Sequence, residues 1–148
     1  MMKSKKSWRE KLESPRPAEV QPMPASMKSR WGVGTLLIPR ALDVDMLVRR
    51  IRKGRLTTLG AIRARLAKDA GATIACPLVT GIHWRIVAEA SEEDRKARRR
   101  GPAPWWRVVR DDGRLNEKLA AHAARLRSEG HAVTKGRVAG FARRLQAL

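Results

Sequence analysis

The sequence predicts a mainly α fold with a small β wing, arranged as a winged helix-turn-helix-like domain. Three observations predict it. Apolar residues recur at helical spacing in three consecutive stretches after residue 43, punctuated by Gly54, Gly71 and Pro77. The stretch Pro104 to Leu115, PWWRVVRDDGRL, sets two tryptophans and two arginines before an acidic-glycine turn that resembles a wing. The formal net charge is +19, from 33 Lys and Arg against 14 Asp and Glu, and self-repulsion on that scale is relieved by a polyanion.

The 148 residues suffice for one domain with a real core. Residues 1–33 are expected as a basic, Pro-rich flexible tail, 34–130 as the domain, and 131–148 as a hairpin and short-helix extension. Charge points to nucleic acid as the partner class, with a ribosomal-type or merely basic protein as the alternative, and it says nothing of specificity. The lone Cys76 excludes an internal disulfide and a cysteine-based zinc site, because His83, His122 and His131 are scattered. No metal and no cofactor is expected. The basic N-terminus is not followed by an apolar stretch, and no run approaches the length of a membrane span. A cytoplasmic, nucleoid-associated monomer without membrane contact is the expectation.

Taken in order, Gly34 to Pro39 (GTLLIP) reads as a strand or extended entry. Asp43 then caps a helix with Val44, Leu47, Val48 and Ile51 inward, stopped by Gly54. Thr58 caps the next, running to about Lys68 with Leu59, Ile62 and Leu66 inward and Arg63, Arg65 and Lys68 outward, closed by Gly71. Pro77 suits the first turn of a third helix. Its apolar face is expected along Val79, Ile82, His83, Ile86, Val87 and Ala90, leaving Thr80, Gly81, Trp84 and Arg85 on the other side. Small residues followed by an aromatic and a cation suit a helix whose N-terminal half approaches a groove of DNA, although an ordinary solvated face reads the same way. His83 and Cys76 are expected as core residues.

Residues 91–103 open like a capping box and run into Arg98, Arg99 and Arg100, either a continued helix or a basic loop able to clamp phosphate. Asn116 is expected to cap a helix to Ser128 with Arg125 and Arg127 free. A hairpin around Lys135 and Gly136 and a short helix from Phe141 complete the chain. Trp8 and Trp31 are expected to dock on the core.

The segment from Arg55 to Glu117 resembles the active-site domain of the O6-alkylguanine-DNA alkyltransferases, the methylated-DNA-protein-cysteine methyltransferases, and of their non-catalytic alkyltransferase-like relatives. Where that family has Thr-Tyr-Gly-Glu-Ile-Ala, this chain has Thr58-Leu59-Gly60-Ala61-Ile62-Arg63. Leu78-Val79-Thr80-Gly81 stands in the place of the family's Arg-Ala-Val-Gly, and Pro104-Trp105-Trp106-Arg107-Val108-Val109 in that of Pro-Cys-His-Arg-Val-Val. Asp112-Gly113-Arg114-Leu115 matches the downstream Asp-Gly-x-Leu, and the basic stretch at 91–103 lengthens the gap between the motifs.

The departures decide the chemistry. Trp105 replaces the acceptor cysteine and Trp106 the activating histidine, so alkyl transfer by the family mechanism is excluded at that position. The alkyltransferase-like proteins also replace the cysteine, commonly with tryptophan, and keep the lesion pocket. The resemblance therefore implies a non-catalytic protein that binds modified or distorted bases in double-stranded DNA, with other repair proteins as further partners. It implies a lesion pocket at Leu59, Pro104, Trp105, Trp106 and Arg107. DNA contacts are expected from Thr58, Arg63, Leu78, Thr80, Gly81, Trp84 and Arg85, joined by Arg98, Arg99, Arg100, Arg110 and Arg114. Leu59 stands where the family has its base-rotating tyrosine and Leu78 where it has its arginine finger; leucine is itself a competent wedge between base steps. Two alternatives stay open: a sequence-nonspecific architectural protein, and a methyltransferase using Cys76. Core packing is the alternative for the two indoles.

Overall fold

In the computed structural model, residues 6–148 are described, and they are mainly α with a small β part. Six helices carry the structure: α1 (Trp8–Leu12), α2 (Ala25–Trp31), α3 (Ala41–Val48), α4 (Leu59–Ala70), α5 (Pro77–Lys96) and α6 (His122–Ser128). Strands β1 (Glu19–Pro22), β2 (Thr35–Ile38) and β4 (Ile74–Ala75) form one sheet in the order β1-β2-β4, antiparallel then parallel. Strand β3 (Thr57–Thr58) pairs parallel with β5 (Val108–Val109), and β6 (Val133–Thr134) antiparallel with β7 (Arg137–Val138).

The N-terminal segment corrects the expectation of a flexible tail, of which residues 1–5 lie outside the described residues. Ser7 and Glu10 form a capping box that starts α1. The first helical amides of Trp8 and Arg9 donate to the Glu93 carboxylate at 3.2 and 3.0 Å, so α5 supplies the acceptor that the short helix needs. Arg9 then reaches the buried Asp94 at 2.9 Å. Leu12 is buried in the main core and β1 adds to β2, so proline content here marks punctuation between elements.

Capping decides three boundaries. Helix α3 starts at Ala41 and not after Asp43: Asp43 is its third residue, and its carboxylate reaches back to the Arg40 amide at 3.0 Å. It ends at Val48, although Ile51 is still buried, and Gly54, with φ +81°, serves a later turn. Helix α4 follows the expectation, with Thr58 Oγ1 accepting from the Ala61 amide at 3.1 Å and Gly71 left-handed at its end. Helix α6 begins at His122, not after Asn116. Asn116 is used in a turn, accepting from the Lys118 amide at 3.1 Å and donating its own amide to His122 Nδ1 at 3.1 Å. Arg125 and Arg127, expected free, are tied to Glu92 and to the Val133 carbonyl.

The main core joins α3, α4 and α5 to the Trp105–Arg107 3-10 turn and α6; a smaller cluster of Met23, Leu36 and Cys76 lies under the three-stranded sheet. The hairpin forms as expected, with Lys135 and Gly136 both at positive φ. The turn at 110–115 is closed by the Gly113 amide on the Arg110 carbonyl and leans on this hairpin through the Leu115 amide, 3.0 Å from the Gly136 carbonyl. No helix among the described residues is long and apolar enough to cross a membrane.

Candidate nucleic-acid interface

Helix α5 presents a different face from the one its apolar pattern suggests. Thr80, Trp84, Val87, Ala88 and Ser91 are buried, whereas Leu78 is 72% and Ile82 50% exposed. Val87 and Ala90 stay inward as expected, while the rest of the buried stripe, at Thr80, Trp84, Ala88 and Ser91, runs one residue later, a rotation of about 100°. Polar groups on the buried side are satisfied: Thr80 Oγ1 donates to the Cys76 carbonyl at 2.7 Å, Trp84 Nε1 to the Trp105 carbonyl at 3.2 Å, and Ser91 Oγ to the Ala103 carbonyl at 2.7 Å. With those bonds made, the large indole of Trp84 gains more from burial than Ile82 would. Thr80 and Trp84 are thereby corrected from DNA contacts to core.

The expected lesion pocket is closed. Trp105 and Trp106 are buried, their rings edge to face with centroids 6.0 Å apart. Trp105 Nε1 donates to Glu92 at 3.3 Å, and the guanidinium groups of Arg95, Arg107 and Arg125 lie about the Trp106 ring at 6.0, 5.7 and 5.9 Å. An Arg-rich neighbourhood here covers the indoles instead of opening them to solvent. Arg107 is a structural tie, forked onto Glu129 at 2.9 and 2.7 Å and donating to the Ile51 carbonyl at 2.6 Å. Burial, the largest influence, acts to raise the Glu129 carboxyl, but the hydrogen bonds and charge of Arg107 together with the Gly54 amide hold the group below its ordinary value. Pro104 is half-buried beside them.

His122 sits among these rings, 5.1 Å from Trp105 and 5.8 Å from Trp84. The Asn116 amide donates to Nδ1, so the proton resides on Nε2 and is donated to the Trp106 carbonyl at 3.0 Å. Burial lowers its pKa to about 4. The neutral ring is a spacer that satisfies two backbone groups, a role its isolated place in the sequence did not reveal.

What lies open is a groove of about 550 Å³ above the N-terminal half of α5. Its apolar wall is Leu59, Leu78, Ile82 and Ile86, with Trp84 closing the floor. Lys11, Arg85, Arg110 and Lys118 supply cations around it. Lys11 lies 4.1 Å and Arg85 5.4 Å from the Trp8 ring, and Arg110 6.0 Å from that of Trp84. A neighbouring depression shares Leu59, Pro77 and Arg110 and adds Arg63, Asp111 and Asp112. Asp111 accepts from the Gly60 amide at 2.7 Å, and a Cβ at Gly60 would meet that carboxylate at 2.6 Å, so a larger residue there would push the exposed Asp111 side chain aside where the loop closes on α4.

Leu59, Leu78, Gly81, Arg85 and Arg110 are thus brought together, with Arg63 beside them. Thr58 is occupied as a cap, and Arg114 is exposed and paired with Asp112. Arg98, Arg99 and Arg100 are exposed beyond the far end of α5, roughly 27 Å along the helix axis from Leu78, and Arg99 is tied to Asp94. Trp8, Lys11, Ile82, Asn116 and Lys118 complete the groove without having been expected at the interface; Trp8 and Ile82 were expected against the core and Asn116 as a cap. For the first two the signal was present: Ser7 and Glu10 stand at capping-box spacing just where an indole and a lysine follow. Among the described residues no group of three or more His, Cys, Asp or Glu could hold a metal ion. The chain matches no family model and no curated protein.

Proposed function

We propose that the chain is a non-catalytic, nucleoid-associated DNA-binding protein of winged helix-turn-helix-like and alkyltransferase-like kind, which meets duplex DNA through the groove at the N-terminal half of α5. The observation that carries this reading is the groove itself. Two exposed apolar side chains, Leu78 and Ile82, stand between four cations on a chain of net charge +19. Cations take phosphates, and an apolar wedge reaches a base step; the combination suits a duplex better than a small acidic ligand. Leu78 and Gly81, which the resemblance assigns to DNA contact, line one surface with Leu59, which it assigns to the lesion pocket, and this supports the reading.

A modified base would be accepted against Leu59, Leu78 and Ile82, since the tryptophans beneath offer no opening. Alkyl transfer has no support from Cys76, which is buried against Met23 and Leu36 in the smaller cluster. Duplexes with and without O6-alkylguanine, compared at one fixed salt concentration, test the proposal. Tighter binding to the modified duplex is expected. Equal affinity removes lesion sensing and leaves DNA binding; no binding to either overturns the reading. Intact mass after incubation with methylated DNA is expected to show no added methyl group. The architectural alternative is favoured by one observation, the exposed Arg98–Arg100 run far from the groove. Lesion-blind binding with a steep salt dependence would select it.

A further inference from the structure

We infer that the N-terminal segment, residues 8–31, belongs to the DNA interface and extends it to both sides of α5 by cations shelved on indoles. The inference rests on the DNA-binding reading above and concerns a segment outside the stretch that carries the family resemblance. On one side, Trp8 of α1 holds Lys11 at 4.1 Å and Arg85 at 5.4 Å over its ring and lines the main groove. On the other, Trp31 at the end of α2 has Arg30 at 5.2 Å and Arg63 at 5.7 Å. Trp31 lines a further depression of about 440 Å³ along α4, together with Gly60, Arg63 and Lys68. Arg63 also lines the depression that contains Leu59, Pro77 and Arg110, and those three residues border the main groove or its entrance. The surface therefore runs without a break from Trp31, across the start of α5, to Trp8.

Both indoles are half-buried and fixed by ordered elements. Helix α1 is anchored by Glu93 and Asp94, so Trp8 does not ride on a loose arm. A cation lying on an indole face has already lost much of its side-chain freedom, while its N–H groups remain able to donate to a phosphate. Lys11, Arg30 and Arg85 form no ion pair among the described residues, unlike Arg9, Arg65 or Arg125, while Arg63 is paired with the exposed Asp111 at 3.5 Å. Unpaired, pre-ordered cations at both ends of a groove fit the regularly spaced phosphates of a duplex that is longer than the part touched by α5.

The test is a salt titration of the full chain on a fluorescently labelled duplex, with thermal melting to check that each variant folds. Arg30→Ala and Lys11→Ala are each expected to reduce the slope of log K against log[salt] by about 0.9, the value for one phosphate contact. Trp31→Leu leaves the charges in place and is expected to weaken binding about threefold with the slope unchanged. Arg52→Ala, which borders none of these grooves, is the comparator and should leave the slope as it is. Slopes unchanged in both Arg30→Ala and Lys11→Ala, with the parent chain still binding, overturn this inference alone. Failure of the parent chain to bind any duplex overturns the DNA-binding reading and this inference with it. Because Arg30 and Lys11 are exposed, the result does not depend on whether Trp31→Leu folds.

Discussion

Helix α5 separates two apolar regions of opposite character. Beneath it, Trp84, Trp105 and Trp106 close around His122, and the indole N–H groups of Trp84 and Trp105 are given to a carbonyl and a carboxylate. Above its N-terminal half, Leu59, Leu78 and Ile82 face a groove ringed by cations. Both regions combine large apolar groups with arginines. In the first, Arg107 and Arg125 are paired with Glu129 and Glu92, and their planes cover the rings. In the second, Arg85 has no carboxylate partner among the described residues, Arg110 reaches only the exposed Glu117 at 3.9 Å, and Leu78 and Ile82 are uncovered. An arginine beside an aromatic therefore marks a binding surface only when its charge is not already spent within the fold.

Substitutions should separate the two regions cleanly. Trp84→Ala removes one of the two largest fully buried side chains and should cost about 4 kcal/mol of stability in urea denaturation, with DNA binding lost only as the protein unfolds. Arg107→Ala leaves Glu129 buried and unpaired, both side chains being nearly enclosed at 15% and 7% exposure, and should cost about 3 kcal/mol by the same measurement. A substitution at Arg107 that spared stability but abolished DNA binding would return that residue to the interface.

Acid should act on the lower region. His122 titrates at about 4 when folded against 6.5 in its ordinary state, so on acidification the unfolded chain takes up the proton first. Stability is full above pH 6.5, falls between 6.5 and about 4 by about 3 kcal/mol, and gains no further loss from this residue below that. His83 and His131 are shifted the same way by burial. Denaturation midpoints across this range should fall less in His122→Gln than in the parent. The smallest stability effect belongs to the groove: Leu78→Ser should change stability by no more than about 0.5 kcal/mol while weakening duplex binding several-fold in anisotropy titrations. A large destabilisation there would mean that Leu78 packs against something, and the contrast between the regions would fail.

Local chemistry was readable wherever it acts within a few residues. The Thr58 cap, Gly71, Pro77 at the start of α5 and the Lys135-Gly136 turn each depend on a side chain or a φ angle within one turn of chain, and each was expected where it occurs. The boundaries of α3 and α6 failed because Asp43 and Asn116 have two ways to satisfy nearby amides, and only their neighbours select one. The candidate site was half legible. Leu59, Leu78, Gly81, Arg85 and Arg110 were named and do meet, but Trp8, Lys11 and Lys118 join them from segments far away in the chain.

By itself the sequence determined a mainly α, strongly basic chain, its helix starts at Thr58 and Pro77, its hairpin, and the absence of any disulfide partner for Cys76. Only the tertiary structure decided which way α5 faces and whether the tryptophans are open. An amphipathic pattern specifies a stripe to about one residue, and one residue is about 100° of helix. Which neighbouring stripe is buried depends on what lies across the gap. Here the Trp105 and Ala103 carbonyls accept from Trp84 and Ser91, and those long-range bonds turn the indoles inward and leave Leu78 and Ile82 to the groove.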